Sequence, residues 1–278
     1  MAVWLGSHEA MIRLGCFLIV LPAMALWERL APRRALALPR STRWFSNLGL
    51  MLLGSLAARL LVPVAATGVA LFAAREGSGL FNQVAMPGWV ALVVSVVVLD
   101  AAIYLQHLMF HAVPILWRLH LVHHADVDFD TSTGVRFHPV EILLSLLIKF
   151  AVILLLGPPV AAVILFEVLL NATALFNHGN VRLPRALDRR LRWLVVTPDM
   201  HRVHHSVHGD ETNSNFGFNL PWWDRLCGTY RDQPRAGHPG MIIGLYVPRA
   251  PRLVARLSGV LRLPFLPTGA GYAINQRD

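Results

Sequence analysis

Charged residues and cysteines are both scarce in this sequence. Only 15% of its 278 residues are charged while 55% are hydrophobic, and the mean hydropathy is +0.51. Because soluble domains carry about 25% charged residues, this composition is typical of an integral membrane protein. The two cysteines, Cys16 and Cys227, are too few and too far apart for a disulfide framework or a thiolate metal site. We expect both to be packing residues.

Several motifs of cofactor and hydrolase chemistry are also missing. The sequence has no Rossmann-type glycine fingerprint, no haem-attachment motif and no H-E-x2-H zinc motif. It has no nucleic-acid-binding motif either, although its formal net charge is +9. In so apolar a chain, we expect this positive charge to face anionic lipid headgroups and not nucleic acid.

Histidines are frequent and fall into repeated patterns. The sequence contains one H-x3-H and two copies of H-x2-HH, and His178 is a further candidate outside these boxes. Residues three and four apart share a helix face, so each pattern can aim its imidazoles at one point, and imidazole is a common metal ligand. Even an octahedral ion takes only six ligands, so nine histidines predict two metal ions in one site shared by both halves of the pattern. The predicted ligands are His107, His111, His120, His123, His124, His178, His201, His204 and His205.

The apolar runs predict an all-α integral membrane fold. We expect about three spanning helices and a helical hairpin, with a cytosolic helical cap that carries the histidine-rich dimetal site. Pro63 is expected to interrupt the second run, and Gly157 with the two following prolines to form the turn of the hairpin. The expected runs are 11–27, 44–72, 89–106, 142–156 and 160–175.

Arginines follow the first apolar run and do not precede it, and no small-residue cleavage site follows the run. This pattern argues against a signal peptide. By the positive-inside rule, the arginine-rich loop and the histidines face the cytosol, and we expect a bacterial cytoplasmic membrane. Residues 1–232 are expected to form a single membrane-embedded domain, with its motifs in 100–230. The basic tail, 233–278, is expected to lie on the membrane surface.

Polar residues within apolar runs are candidates for supporting roles. An ionisable group in a spanning segment is expensive and indicates function. Asp100 lies on one helix stripe with His107, so we expect it to accept a hydrogen bond from a ligand imidazole, the alternative being a helix-packing partner. Glu167 and Asn171 share a stripe with His178 and are expected to point at the metal site.

Two further groups leave alternatives open. His138, in the segment RFHPVE, is either a further ligand or a hydrogen-bonding partner. Asp126, Asp128 and Asp130 directly follow the second histidine box. They are either outer partners of the ligands or a solvated acidic loop.

The order and spacing of these motifs resemble the fatty acid hydroxylase superfamily, which includes sterol desaturases, sphingolipid hydroxylases and alkylglycerol monooxygenase. The resemblance covers roughly residues 40–232. It is carried by D-x3-Y-x2-H-x3-H, LWRLHLVHH, RFHPVE, FNHGN, TPDMHRVHH, ETNSNFG and WDRLCGTY.

The resemblance implies a cytosolic, histidine-coordinated centre of two iron ions, with zinc as an alternative in isolated protein. It also implies O2-dependent hydroxylation or desaturation of a sterol, fatty acyl, sphingolipid or ether-lipid substrate. The electrons would come from an external donor protein. Breaking an unactivated C–H bond does call for a redox metal, because acid and base side chains cannot do it.

The sequence departs from the family pattern in two places. The first box usually continues as HR, whereas here it reads HLMFH. Some members supply a tenth ligand near the isolated histidine, but Ala174 and Arg182 occupy the flanking positions here. A water, His138 or Asn171 is then the candidate for that place.

Two rival functions compete with the oxygenase. A dizinc hydrolase would also use histidine ligands, but such sites usually carry a carboxylate close to the box. A metal transporter or sensor would place its site near the bilayer midplane on broken helices, whereas these boxes lie at or beyond helix ends.

Overall fold

The computed structural model describes residues 2–267 and Ile274, and this part of the chain is helical without any extended strand. The predicted all-α fold class is therefore confirmed. The first half of the chain forms α1 (Ala2–Leu30), α2 (Arg40–Leu61), α3 (Ala66–Arg75), α4 (Leu80–Gln83), α5 (Gly88–Ala112) and α6 (Pro114–His124). They are followed by α7 (Pro139–Leu156), α8 (Val160–Asn177), α9 (Arg185–Leu191), α10 (Pro198–His204), α11 (Gly209–Thr212), α12 (Trp222–Leu226), α13 (Gly237–Gly240), α14 (Pro251–Val254) and α15 (Leu257–Arg262). Short 3-10 helices cover Thr131–Val135 and Leu263–Phe265.

Five segments among the described residues are long and apolar enough to cross a membrane. They match the three expected spans and the two legs of the hairpin, so both legs are long enough to span. The second segment is broken as expected, because α2 ends at Leu61, before Pro63, and α3 begins at Ala66. The segments are Trp4–Leu30, Arg40–Gln83, Gly88–Ala112, Pro139–Leu156 and Val160–Asn177.

Helix α8 is the central helix of the bundle. It packs against α1, α3, α5 and α10. The turn that returns the chain from α7 to α8 depends on Gly157, which has a φ of +63°. A Cβ atom there would lie 2.5 Å from Nδ2 of Asn82, so a larger residue does not fit. This tight turn brings the end of α8 back to the side on which α7 begins.

The first turns of α6 and α10 carry residues suited to a helix N-terminus. Pro114 occupies the first turn of α6 and Pro198 that of α10, where a missing N–H costs nothing. Oγ1 of Thr197 accepts a hydrogen bond of 3.3 Å from the backbone N–H of Met200 and so caps the start of α10.

The acidic loop between α6 and α7 is buried and not solvated. Asp126 accepts hydrogen bonds of 2.8 and 2.7 Å from Nε and Nη2 of Arg43, and Nη1 of Arg43 donates to Asp130 at 2.5 Å. Asp128 accepts from the backbone N–H groups of Ala37 and Leu38. Burial would raise the pKa of Asp126, but the adjacent Arg43 guanidinium outweighs it and lowers the pKa to about 2. The loop therefore ties α2 to the end of α6.

The described part of the C-terminal segment packs onto α2 and α6. Val254, Val260 and Leu263 share a buried apolar cluster with Leu50 and Trp117. Residues 268–273 and 275–278 of the expected tail lie outside the described residues. Both cysteines are free, with Cys16 half-buried and Cys227 exposed, so the expected packing role fits Cys16 alone.

Candidate metal centre

Four helices bring the nine predicted ligands to one place. Helix α5 carries the first box, α6 carries the second, and α10 with the residue after it carries the third, while His178 caps α8. All nine side chains are buried, with His107 the most accessible at 4%. The two halves of the histidine pattern therefore meet in a single buried site.

The nitrogen atoms divide into two groups that could each hold a metal ion, and within each group they lie within 4.8 Å of one another. The groups divide the H-x2-HH boxes. His123 and His124 are neighbours in sequence but belong to different groups, and so do His204 and His205. The five-histidine group is His107, His111, His120, His124 and His204, and the four-histidine group is His123, His178, His201 and His205.

Hydrogen bonds fix the tautomers of many of these imidazoles. Nδ1 of six histidines lies near an oxygen atom, which can only accept when it belongs to a carbonyl or a carboxylate. Nδ1 of these rings therefore carries the hydrogen, and Nε2 presents a lone pair. The pairs are His107 with Phe216 O (2.8 Å), His111 with Asn213 Oδ1 (3.1 Å), His120 with Glu141 Oε1 (2.6 Å), His123 with Arg136 O (3.3 Å), His178 with Ala174 O (2.8 Å) and His204 with Ser214 O (2.7 Å).

Lone pairs face each other at short distance as a result. Nε2 of His107 lies 3.1 Å from Nε2 of His120, and Nε2 of His123 lies 3.1 Å from that of His178. With Nδ1 protonated on all four rings, neither nitrogen of a facing pair can donate a hydrogen bond to the other. Converging lone pairs of this kind fit a shared cation, because a cation removes their mutual repulsion.

Unpartnered nitrogen atoms support the same conclusion. Nε2 of His204 and both ring nitrogens of His205 are buried without a hydrogen-bond partner among the described residues. Leaving a buried polar atom unsatisfied costs about 1–3 kcal/mol, so an ion that binds these atoms would remove a real penalty. The residues present therefore fit a pair of metal ions.

The protonation state also suits metal binding. Burial lowers the pKa of His120 and of His178 to about 3, and burial with the nearby His204 lowers the pKa of His124 well below its ordinary value. These rings are neutral at pH 7 and present lone pairs without first losing a proton.

Glu141 is a supporting residue that the sequence reasoning did not single out. It lies in the first turn of α7, and its Oε1 accepts the 2.6 Å hydrogen bond from Nδ1 of His120. The signal was an acidic residue in the first turn of a largely apolar helix. His138, three residues earlier, accepts from the backbone N–H of Val140 and caps α7, outside both groups of ligands. Of its two expected roles, the structure shows the hydrogen-bonding one.

Asp100 does not contact a histidine, contrary to the expectation. Its carboxylate accepts from Trp223 Nε1 at 2.8 Å, from Asn219 Nδ2 at 2.7 Å, and from the backbone N–H groups of Asn219 and Leu220 at 3.2 Å. Asp100 and His107 do share a stripe, but seven residues separate them by about 10 Å along the helix. Asp100 thus holds the segment after Phe216, whose carbonyl accepts from His107.

Glu167 and Asn171 also lie away from the metal centre. Glu167 forms ion pairs with Lys149 and, at 3.0 Å, with Arg13, while Nδ2 of Asn171 donates to the backbone carbonyl of Glu167. Glu167 precedes His178 by eleven residues, or about 16 Å of helix, which places it too far along α8 to touch the centre. The expected orientation of this stripe is wrong. Neither Asn171 nor His138 belongs to either ligand group, so neither takes the place of a tenth ligand.

Aromatic rings line the centre. Phe137 stacks on His123 with ring centroids 4.6 Å apart, Phe216 lies 5.5 Å from His107, and Trp117 lies 4.8 Å from His111. Such rings keep bulk water from the imidazoles and leave an apolar surface around them. The arrangement suits chemistry on an apolar molecule.

Comparison with known proteins agrees with these observations. Ornithine lipid hydroxylase OlsE of Rhizobium tropici is 31% identical over 147 residues, which are 52% of this chain and 43% of that protein. Alkylglycerol monooxygenases of Xenopus tropicalis and Homo sapiens are each 29% identical over 136 residues, or 47% of this chain and 28% of theirs. The matched part of the chain thus spans less than half the length of these relatives. No solved structure matches the chain.

The fatty acid hydroxylase family model matches residues 92–229, a segment that contains all nine clustered histidines. With this match, the relatives above and the order of its histidine boxes, the chain belongs to the fatty acid hydroxylase superfamily.

Proposed function

We propose that the protein is a membrane-bound, O2-dependent lipid hydroxylase with a histidine-coordinated di-iron centre. The observation that carries this proposal is the division of nine buried histidines into a group of five and a group of four. Histidine-only donor sets suit iron, copper and zinc, and among these zinc has no redox chemistry. The relatives named hydroxylase and monooxygenase favour the insertion of oxygen and thus a redox metal, and iron is the metal that the resemblance to the family implies.

In the proposed reaction, a C–H bond of the lipid and one O2 give a C–OH group and one water, with two electrons and two protons supplied from outside. The two metal ions would activate O2 and take up these electrons. The described residues provide no flavin or nicotinamide motif, so an external protein is the proposed electron donor. The proposed substrate is a sterol, fatty acyl chain, sphingolipid or ether lipid.

The chain's own residues hold and shield the centre. Carbonyl groups such as those of Phe216 and Ala174 keep the hydrogen on Nδ1 of His107 and His178, so that Nε2 faces inward. Aromatic rings around the histidines exclude water, which protects a reactive centre from side reactions. Because α5 is both a candidate span and the carrier of two histidines, the centre lies at the end of a span, and we propose that an acyl chain reaches it there from the bilayer. We further propose that this end of α5 faces the cytosol of a bacterial membrane, in accordance with the arginines after α1.

A comparison of lipid extracts tests the proposal. Cells with the wild-type protein should contain a lipid that is heavier by one oxygen atom than its counterpart in cells with the His204→Ala variant. A product lighter by two hydrogen atoms would assign desaturation instead, and no change in any lipid would overturn the oxidase assignment. Elemental analysis of the purified protein should give about two metal ions per chain, with iron required for turnover. Activity with zinc alone would point to hydrolysis.

A further inference from the structure

Two adjoining cavities lie where the C-terminal segment meets the first turns of α2. The smaller, of about 430 Å³, is lined by Arg252, Arg256 and Arg262. The larger, of about 790 Å³, is lined by the apolar side chains of Phe45 and Leu261 and by several hydroxyl groups. Arg256 and Ser258 line both cavities, so together they form one continuous depression.

Among the described residues, the three arginines have no carboxylate partner. Each is exposed, and none of their guanidinium groups bonds to a described residue. Nearby Arg118 and Arg249, in contrast, donate to backbone carbonyls, for example Arg118 Nε to Pro264 at 2.7 Å. The sequence from 233 to 277 contains no Asp or Glu that could neutralise them. The smaller cavity therefore presents a positive site for an anion.

The backbone holds the arginines close together. Gly259 packs against the backbone of Arg252, and a Cβ atom at that position would lie 2.1 Å from the Arg252 carbonyl oxygen. This close approach brings α15, which carries Arg262, against α14, which carries Arg252. Arginine is well suited to phosphate, because its planar guanidinium donates two parallel hydrogen bonds.

The larger cavity extends the site into an apolar environment. Phe45 is 73% exposed in the second turn of α2, at the start of the candidate span Arg40–Gln83. The arginines thus lie near the level at which a span enters the lipid headgroups, with an apolar groove beside them. A charged headgroup joined to a hydrocarbon chain matches both halves of the depression.

We propose that these cavities bind one anionic phospholipid of the bilayer, with its phosphate among Arg252, Arg256 and Arg262 and an acyl chain along Phe45, Leu257 and Leu261. The bound lipid would fasten the C-terminal segment to α2 and to the membrane. Through Arg118 it would also support α6, which carries three of the clustered histidines. The inference does not depend on the reaction proposed for the metal centre.

Native mass spectrometry of the full chain in a neutral detergent tests this site. Dioleoyl phosphatidylglycerol and dioleoyl phosphatidylcholine are the probes. The wild-type protein should retain one phosphatidylglycerol in preference to phosphatidylcholine. The Arg252→Gln/Arg256→Gln/Arg262→Gln variant should bind phosphatidylglycerol about 100-fold more weakly, since each arginine near an anionic lipid contributes roughly fivefold. The single variant Arg256→Gln should lose less affinity for phosphatidylglycerol. It replaces the triple variant in this test if the triple variant does not fold.

The matched control removes three exposed arginines of α9, as Arg185→Gln/Arg189→Gln/Arg190→Gln, and should bind the lipid as the wild type does. If this control lost as much phosphatidylglycerol binding as the triple variant does, net charge alone would explain the effect, and the proposed site would be wrong. The proposed site would also be wrong if the wild-type protein retained phosphatidylcholine as well as phosphatidylglycerol. Displacement of the lipid by inorganic phosphate, but not by chloride at the same ionic strength, would assign the arginines to free phosphate and overturn the lipid assignment.

Discussion

Glu141 holds the imidazole of His120 through a hydrogen bond of 2.6 Å to Nδ1, while Nε2 of the same ring points to Nε2 of His107. The second carboxylate oxygen of Glu141 is buried without a partner among the described residues. A carboxylate behind a metal-binding imidazole fixes its tautomer and strengthens it as a ligand. Glu141 is thus the positioning residue of the five-histidine group.

Replacing Glu141 with Gln should weaken the five-histidine group selectively. Loss of such a supporting residue typically lowers metal affinity or activity by about 10 to 100-fold. We expect Glu141→Gln to lose about one of two metal ions on dialysis against a mild chelator, as measured by elemental analysis. Glu76→Gln, on the exposed loop after α3, is the control and should keep both ions. Full metal content in Glu141→Gln would leave Glu141 with a structural role only.

The division of the second box can be tested with double variants. His123→Ala should lower the metal content by about one ion, and His124→Ala should remove the other ion, because the two rings belong to different groups. His123→Ala/His178→Ala, with both changes in one group, should still retain about one ion. His123→Ala/His124→Ala should retain almost none. Equal metal content in the two double variants would contradict the division, and His8→Ala should change nothing.

Asp100→Asn should reduce stability more than metal binding. The Asn amide would point a donor at N–H groups that now donate to Asp100, and such an unsatisfied cluster costs about 1–3 kcal/mol. We expect a lower unfolding midpoint by tryptophan fluorescence, with the metal content of the folded protein close to that of the wild type. Loss of metal without loss of stability would instead indicate direct support of a ligand.

Removal of Arg13 should destabilise the spanning bundle. Arg13 binds Glu9 and Glu167 at 3.0 Å each, and Lys149 provides the second positive charge of this buried network. Breaking a fully buried ion pair costs about 3–5 kcal/mol, and the loss here should be smaller because the Arg13 side chain is 38% exposed and Glu167 keeps Lys149. The Arg13→Met variant should therefore unfold at a lower concentration of a denaturing detergent than the wild-type protein does. Arg59→Met, at an exposed position of α2, should unfold as the wild type does.

Local signals predicted much of this structure. Apolar runs predicted the spans, and Gly157 with its prolines predicted the hairpin turn, because each signal acts within a few residues. Repeated helical spacing likewise predicted eight of the nine clustered histidines, and the isolated His178 was the ninth. What failed was the inference from a helix stripe to a distant contact, as with Asp100 and Glu167. A stripe specifies a direction around the helix but not which neighbouring element lies at that height.

The partners of buried charges were unpredictable for the same reason. Arg43 and Asp126 are 83 residues apart, and the sequence around either residue does not indicate that the two side chains pair. The division of the boxes into a group of five and a group of four depends on how α6 and α10 face each other. That relation is set by tertiary packing and not by spacing within either helix.

The division of adjacent histidines between two groups would couple two bound metal ions mechanically. Helices α6 and α10 each supply ligands to both groups, whereas α5 serves only one and α8 only the other. A small rotation of α6 about its axis would move His123 and His124 together and so alter both coordination spheres at once. Neither of the proposed ions could then be adjusted alone by these two helices, and any motion that opened one coordination sphere to an incoming molecule would change the other.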